Sequence, residues 1–264
     1  MQPKVNDSTD SPKRPTALIT GASSGLGLAL AHLLAKKKYR LLLTARKAPP
    51  IASEVFIPAD LSVRKERAKI VELIHQYTPD LVINNAGFGL YGDAIDHSID
   101  QELNLIELNA SATVELSLEA AKALKKAQKR GTILNVASFV AYLTFPGFAT
   151  YAATKRFVLN FSEALDFELK EHGIRILTAC PGPMATSFDT RASEGFYKGK
   201  SNLYTLTPEN AAECIWKQIV KQKTVAYIDA RFRLPILLSR LLPKSLLNKL
   251  LRSSILKRVA SQDT

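Results

Sequence analysis

Apolar positions along the chain fall into short solid runs, separated by stretches in which they recur every three or four residues. Thr16–Thr20 (TALIT), Arg40–Ala45 (RLLLTA) and Leu81–Asn84 (LVIN) are runs of the kind that form buried strands. Val55–Ala59, Gly131–Ala137 (GTILNVA) and Arg175–Ala179 extend the set. Helical spacing runs through Leu28, Ala31, Leu34 and Ala35, and again over Val63–Tyr77. It returns over Ile99–Lys126, with a break expected near Asn109, and over Tyr151–Glu171 through Phe157, Phe161, Leu165 and Leu169. Strands alternating with helices predict a doubly wound parallel sheet with right-handed crossovers, a three-layer α/β/α domain over residues 16–229. Ligands of such sheets sit at the carboxyl ends of the strands.

Composition refines this picture. Hydrophobic residues make up 46% of 264, enough for a large core. Residues 1–15 are polar and lack the apolar core of a secretory signal, so a disordered tail is expected there. No stretch is long and apolar enough to span a bilayer. Two cysteines, Cys180 and Cys214, argue against a disulfide framework and fit a reducing, cytoplasmic setting. The four histidines have no metal-ligand spacing, and no metal is expected. The net charge of +12 is uneven: residues 231–264 carry eight Lys/Arg and one acidic residue. Residues 230–264 therefore read as a basic, leucine-rich extension.

The first strand runs into Thr20-Gly21-Ala22-Ser23-Ser24-Gly25-Leu26-Gly27 and then into a helix. Gly21 permits a tight turn, Gly25 lets backbone approach a pyrophosphate, and Gly27 allows close helix–strand packing. The helix N-terminus adds free amides and a partial positive charge. The spacing is GxxxGxG rather than GxGxxG, and alone it fits a glycine turn in any α/β protein. The second strand ends in Thr44-Ala45-Arg46-Lys47, where an NAD site often has an acid. Arg46 could hold a ribose 2′-phosphate bidentately, with Lys47 as a nearby point charge, so NADP(H) is the expected cofactor.

Further motifs follow in order: Asp60-Leu61, Asn84-Asn85-Ala86-Gly87, Asn109, Ser138, Tyr151-Ala-Ala-Thr-Lys155, and Pro181-Gly182-Pro183 with Thr186. With the glycine loop they make the chain resemble the classical short-chain dehydrogenase/reductase family, from about Ala17 to about Thr186. The resemblance implies a Rossmann-type fold. It places Asp60 and Leu61 beside the adenine, Asn85, Ala86 and Gly87 on the adenosine side, and Pro181, Gly182 and Thr186 near the nicotinamide. It also gives Lys155 the nicotinamide ribose hydroxyls, and Asn109 a water linking Lys155 to solvent. The chain departs from the family over residues 47–59, where a whole helix is usual; Pro49 and Pro50 oppose one, so a trimmed crossover and a more exposed adenine edge are expected. The run NNAG-Phe88-Gly89-Leu90-Tyr91-Gly92 resembles a branch with many lipid- and ketone-reducing enzymes.

Ketone reduction needs a hydride donor, a proton donor and a group to hold the carbonyl oxygen. A free tyrosine holds its proton too tightly near neutrality, and a nearby cation corrects this. Tyr151 and Lys155 stand four apart on a predicted helix and so share a face. Ser138 ends the fifth predicted strand, where its hydroxyl could bond the substrate oxygen. A lone YxxxK pair is ordinarily solvated, and a lone serine after a strand is ordinarily a cap. The joint occurrence of Asn109, Ser138, Tyr151 and Lys155 behind the glycine loop favours a carbonyl–alcohol oxidoreductase. It disfavours a silent NADP(H)-binding sensor or scaffold, which needs only the cofactor half.

Phe139, Tyr142, Leu143, Phe145, Phe148, Phe188, Phe196 and Tyr197 form the expected pocket wall and favour a lipophilic carbonyl substrate. In the basic tail, Leu247, Leu250, Leu251 and Ile255 can form one helical stripe flanked by Lys249, Arg252 and Lys257. That pattern suits an interfacial helix on anionic lipid, giving a peripheral membrane protein. It equally suits a helix packed on its own domain or on a partner subunit. Nucleic acid is not expected, because interleaved aromatics are missing. By the family resemblance, a homo-dimer or homo-tetramer would pair through Leu103–Lys126 and Tyr151–Lys170.

Overall fold

The computed structural model describes residues 14–184, 186, 188–193, 205–229 and 243–259. Its strands are β1 (Thr16–Thr20), β2 (Arg40–Ala45), β3 (Val55–Pro58), β4 (Leu81–Asn84), β5 (Gly131–Val136), β6 (Ile174–Cys180) and β7 (Val225–Tyr227). They form one sheet in the order β3-β2-β1-β4-β5-β6-β7, with every pairing parallel. The chain runs outward from β1 to β3 and then returns to β4 beside β1. That reversal opens a crevice at the carboxyl ends of β1 and β4, where sheets of this kind bind ligands.

The helices are α1 (Gly25–Lys36), α2 (Arg64–Tyr77), α3 (Ile99–Ile106), α4 (Ala112–Lys126), α5 (Ala149–Leu169), α6 (Phe188–Ala192), α7 (Pro208–Val220) and α8 (Lys244–Val259). α1 and α7 cover one face of the sheet, with Leu30, Leu34 and Ile215 in its core. α2, α4 and α5 cover the other, around Ile70, Ile74, Leu116 and Leu165. The result is a three-layer Rossmann-type fold. A fully buried polar chain pins the second layer to the sheet. Asn84 Nδ2 donates to Ser117 Oγ (3.0 Å) and Asn135 Oδ1 (2.8 Å), and Asn135 Nδ2 donates to Ser162 Oγ (2.9 Å). A network of this kind specifies one register of α4 and α5 against β4 and β5.

The break near Asn109 and the trimmed β2–β3 crossover fall where the sequence expects them, while other elements differ. The helix over Ile99–Lys126 is α3 and α4 joined by a π turn at Glu107–Ser111. Residues 46–54 join β2 to β3 without a helix, a short link for two parallel strands. α5 buries Tyr151, Lys155, Val158, Leu159, Ser162 and Leu165, while Phe157 is 48% exposed. The periodicity through Phe157 therefore marks an outer face, where its ring stacks on Phe161 at 6.1 Å. α1 is buried nearly all round because it lies between sheet and α7, so its buried set includes Leu26, Ala29, Leu30 and Leu33. β7 and α7 were not anticipated. β7 is three residues long, too short for a period, and α7 is announced only by Thr207 as its cap and Pro208 in its first turn.

Candidate active site

Thr20, the last residue of β1, stitches two loops together. Its Oγ1 accepts the backbone N–H of Asn85 (3.0 Å) and of Ala86 (2.9 Å), and Asn85 Nδ2 donates to Thr20 O (2.9 Å). The glycine loop and the 85–87 segment thus form one rigid floor at the crevice. Gly21 has φ +66°, which a side chain would strain. A Cβ on Gly27 would strike Gly21 O and stand 2.6 Å from Asn85 Nδ2. Thr186 Cγ2 lies 3.2 Å from the place a Gly25 Cβ would take, so Thr186 closes over the loop.

Ser24 caps α1 without a side-chain hydrogen bond, and the first turn has no acidic residue. Ser24 therefore offers the first-turn amides no side-chain acceptor, and no acid within that turn neutralises the positive end of the helix. Ser23 and Ser24 are half-buried at the mouth of this cradle, with Leu26 and Gly27 buried beneath them. An anionic pyrophosphate fits it.

Arg46 follows β2, with its side chain 74% exposed and Nη1 4.0 Å from Asp60 Oδ2. Asp60 is fixed: its Oδ1 accepts from Ser62 N (3.0 Å) and Ser62 Oγ (2.7 Å), and its N–H donates to Glu66 Oε2 (2.6 Å). The loose, exposed ion pair holds Arg46 weakly, which leaves its fork of donors available to a phosphate. Leu61 turns its side chain into the core against α2, and its carbonyl accepts from Arg67 Nη1 (2.9 Å). Asp60 is thus the polar group at this open edge.

On the other side of the floor, the π turn carries Asn109 inward. Asn109 Nδ2 donates to Phe88 O (2.9 Å) and Thr154 Oγ1 (3.2 Å), and its Oδ1 accepts from Phe88 N (3.1 Å). Its carbonyl accepts from Thr113 Oγ1 (2.9 Å). Asn109 is therefore a brace between the 85–88 segment and α5. Gly87 lies between two predicted site groups: a Cβ there would be 2.9 Å from Asn109 Oδ1 and 3.3 Å from Lys155 Nζ.

Lys155 is 4% exposed, and its Nζ donates to Val136 O at 2.9 Å. Burial disfavours its charge and pushes its pKa down to about 8. The ammonium stands 5.6 Å from the centre of the Tyr151 ring. Tyr151 is 7% exposed and stacks on Phe148 at 4.3 Å, with Phe188 at 5.5 Å. Ser138 lies two residues past β5 and caps the turn Phe139–Tyr142, its Oγ accepting from Val140 N at 3.4 Å. Pro181 and Gly182 are buried just past β6, where Pro181 O accepts from Phe139 N (2.9 Å).

The aromatic wall is largely assembled around Tyr151. Phe139, Leu143, Phe145, Phe148 and Phe188 share one cluster with it, joined by Phe88, Leu90 and Tyr91. Tyr142 does not belong there. It stacks on Tyr227 at 4.9 Å, and its hydroxyl lies 3.8 Å from Cys180 Sγ, in a separate core cluster. Phe196 and Tyr197 lie outside the described residues. α8 reaches the same cluster through Leu251, and Arg252 Nη2 bonds Asp93 Oδ2 at 3.1 Å. The side chains of Leu250, Ile255 and Lys257 lie outside the described residues.

Thr20, Thr154, Thr113 and the Val136 carbonyl were not singled out in the sequence. Thr20 has a local signal, since it joins a strand to the glycine loop. Thr154 and the Val136 carbonyl act through contacts between distant segments, and Thr113 bonds one helical turn back to Asn109; no motif marks them.

Residues 15–195 match the short chain dehydrogenase family. The NADP-dependent 3-hydroxy acid dehydrogenase of Schizosaccharomyces pombe is 31% identical over 234 residues, spanning 81% of this chain and 90% of that protein. A short-chain dehydrogenase from Sphingobium yanoikuyae, solved in complex with NADPH, aligns with a TM-score of 0.73 at 26% identity, covering 82% of this chain and 88% of that one. The bulky-bulky ketone specific alcohol dehydrogenase from Comamonas testosteroni aligns with a TM-score of 0.69 at 26% identity, covering 81% and 85%. With the parallel sheet, the glycine floor and the Tyr151–Lys155 helix face, these matches place the chain in one family: it belongs to the short-chain dehydrogenases.

Proposed function

We propose that this protein is an NADP(H)-dependent oxidoreductase that interconverts a lipophilic ketone and its alcohol, with Tyr151 as the acid/base. The observation that carries this reading is the buried Lys155 ammonium, 5.6 Å from a Tyr151 ring that itself lies in an aromatic cluster. The nicotinamide, when bound, supplies or takes the hydride. In reduction the Tyr151 hydroxyl gives its proton to the substrate oxygen, and in oxidation it takes that proton back. The positive charge of Lys155 stabilises tyrosinate and so eases both directions. Ser138 Oγ bonds the same substrate oxygen, and Asn109 keeps the 85–88 segment and α5 in register. The amides at Ser23–Leu26 receive the pyrophosphate, and Arg46 binds the 2′-phosphate.

Relatives support the cofactor: the S. pombe protein is named as NADP-dependent, and the S. yanoikuyae enzyme was solved with NADPH. The cluster around Tyr151 supports an apolar substrate, and the C. testosteroni relative, named as specific for bulky ketones, supports a ketone. The S. pombe relative points to 3-oxo compounds among these, since oxidation of a 3-hydroxy acid gives a 3-oxo acid. NADPH consumption with a panel of 3-oxoacyl thioesters, ketosteroids, retinal and acyl-dihydroxyacetone phosphate tests the reading. Turnover of at least one apolar ketone is expected, and inertness toward all would refute it.

Assembly and tail complete the proposal. The outer face of α4 and α5 has an open depression of about 1280 Å³ lined by Ile106, Val114, Leu118 and Phe157, suited to a second copy of the chain. Light scattering should then give at least a dimer. α8 spends Leu251 and Arg252 on its own domain, which favours domain packing over an anionic membrane as the role of the tail. No helix among the described residues is long and apolar enough to cross a membrane.

A further inference from the structure

Arg67 is the charged member of the buried face of α2. Its buried neighbours there are Ile70, Leu73 and Ile74, and it is itself 3% exposed. A guanidinium is costly to take out of water, and an apolar residue would serve packing as well or better. Its bonds show what the charge holds. Nη1 donates to Leu61 O (2.9 Å) and Ser62 O (3.3 Å), the two carbonyls that follow Asp60. Glu66, the residue before Arg67, accepts from Asp60 N (2.6 Å), so the start of α2 holds the 60–62 loop twice. Toward the catalytic side, Arg67 Nη1 donates to Glu107 Oε2 (3.1 Å) and Nε to Glu115 Oε2 (2.6 Å).

Glu107 opens the π turn Glu107–Ser111, and π turns inside helices are frequent at functional sites. Two residues on, Asn109 bonds Phe88 through both ends of its amide and also reaches Thr154, whose Oγ1 donates to Tyr151 O (2.8 Å). Arg67 therefore joins the cofactor edge at Asp60 to the turn that braces Tyr151. The two ends differ in exposure: Asp60 and Ser62 are half-buried at an open edge, while Asn109 is buried. A ligand at the edge orders the 60–62 loop, and a loop ordered at one end of a bonded chain restrains the other.

We infer that Arg67 is a positioning residue that couples the adenosine end of the cofactor site to the catalytic turn: ordering of residues 60–62 by a bound adenosine 2′-phosphate passes through Arg67 and Glu107 to Asn109 and tightens its hold on Phe88 and α5. This rests on the NADP(H) oxidoreductase reading above and deepens it, since the far end of the cofactor then prepares the turn beside Tyr151. The bonds of Arg67 all go to protein acceptors, so it acts through the segments it joins. Lysine is a poor substitute, because a single ammonium lacks the planar fork that serves carbonyls on one side and carboxylates on the other.

The test adds adenosine 2′,5′-bisphosphate, the adenosine half of NADP, to the full chain and follows hydrogen exchange of the Phe88 amide by NMR. Each protein is held at the same multiple of its own Kd, so that overall stabilisation by binding is equal in all of them. In the wild type the bisphosphate should slow Phe88 exchange by about fivefold or more, the low end for coupling between sites. Arg67→Met should lose the slowing. Arg67→Lys, which keeps the buried charge and so guards against a variant that fails to fold, should lose most of it. Glu107→Ala, a change at a half-buried residue, should still bind the bisphosphate and lose the slowing. Undiminished slowing in any of these variants would route the coupling through the Thr20 floor and overturn the assignment. So would wild-type exchange that the bisphosphate leaves unchanged, or its failure to bind. Ketone turnover with NADPH is followed separately. An inert wild type whose slowing depends on Arg67 would refute the reductase reading alone. Turnover with slowing indifferent to Arg67 would refute only the role of Arg67.

Discussion

Replacing Lys155 by Met takes a buried ammonium out of the site and exposes its electrostatic cost to measurement. Burial lowers the Lys155 pKa from its ordinary 10.5 to about 8, and the group is 4% exposed, so solvent screening offers little relief. Each pKa unit corresponds to about 1.4 kcal/mol, which makes the full penalty on the order of 3 kcal/mol. Below pH 8 the lysine is charged in both folded and unfolded chains, and the penalty is constant. Between pH 8 and 10.5 the folded protein has released the proton while the unfolded chain keeps it, so the wild type gains stability as pH rises. Met also leaves the Val136 carbonyl without its donor, but that cost does not depend on pH. Urea unfolding of the cofactor-free protein isolates the titration as the difference between wild type and Lys155→Met. From pH 7 to pH 10 the wild type should gain about 2.5 kcal/mol on the variant. Parallel stability curves over that range would refute the argument that Lys155 is held charged against its burial.

Further predictions concern the floor and the cofactor edge. Gly27→Ala should weaken NADPH binding and cost about 1–3 kcal/mol in unfolding, because its methyl would collide with Gly21 O and Asn85 Nδ2; wild-type values in both measurements would show that the loop can relax. Arg46→Ala should reduce the preference for NADPH over NADH by about tenfold in kcat/KM, the low end for a charge-assisted contact because Arg46 is exposed. An unchanged ratio would place the 2′-phosphate elsewhere. Asn109→Ala strands the Phe88 N–H and carbonyl and removes the bond to Thr154 Oγ1, whose own bond to Tyr151 O remains, and should lower unfolding stability by about 2 kcal/mol or more.

Most of the sheet was legible because its strands are buried on both faces and therefore read as unbroken apolar runs. β7 escaped because three residues carry no period, and it is defined by its pairing with β6. The trimmed link between β2 and β3 was legible from Pro49 and Pro50, since proline opposes a helix in a local and additive way. Phe157 shows the opposite case. Its place in the helical period is correct, but periodicity cannot tell a core-facing aromatic from one on an outer face, and the fold puts it outside. Tyr142 was misassigned for a related reason: composition groups neighbouring aromatics, while the turn at Phe139–Tyr142 sends Phe139 and Tyr142 to different clusters. The catalytic candidates were found through their order along the chain. The groups that hold them, Thr20, Thr113, Thr154 and the Val136 carbonyl, bond mostly across sequence separations that no motif records. The tail lay beyond sequence reasoning, since its leucine stripe fits lipid, partner or own domain alike. The packing of Leu251 on the Tyr151 cluster and the Arg252–Asp93 pair are contacts that no pattern in the sequence marks.

The measurement closest to the central claim is turnover by Tyr151→Phe. The substitution removes one oxygen and keeps the ring that stacks on Phe148. With an apolar ketone that the wild type reduces, the loss of NADPH absorbance should slow by at least about a hundredfold, as expected when a positioned proton donor is removed. NADPH affinity, read by fluorescence titration, should stay within about twofold, because the glycine floor and Arg46 are untouched. A variant that keeps turnover near the wild-type rate would contradict Tyr151 as the group that moves the proton.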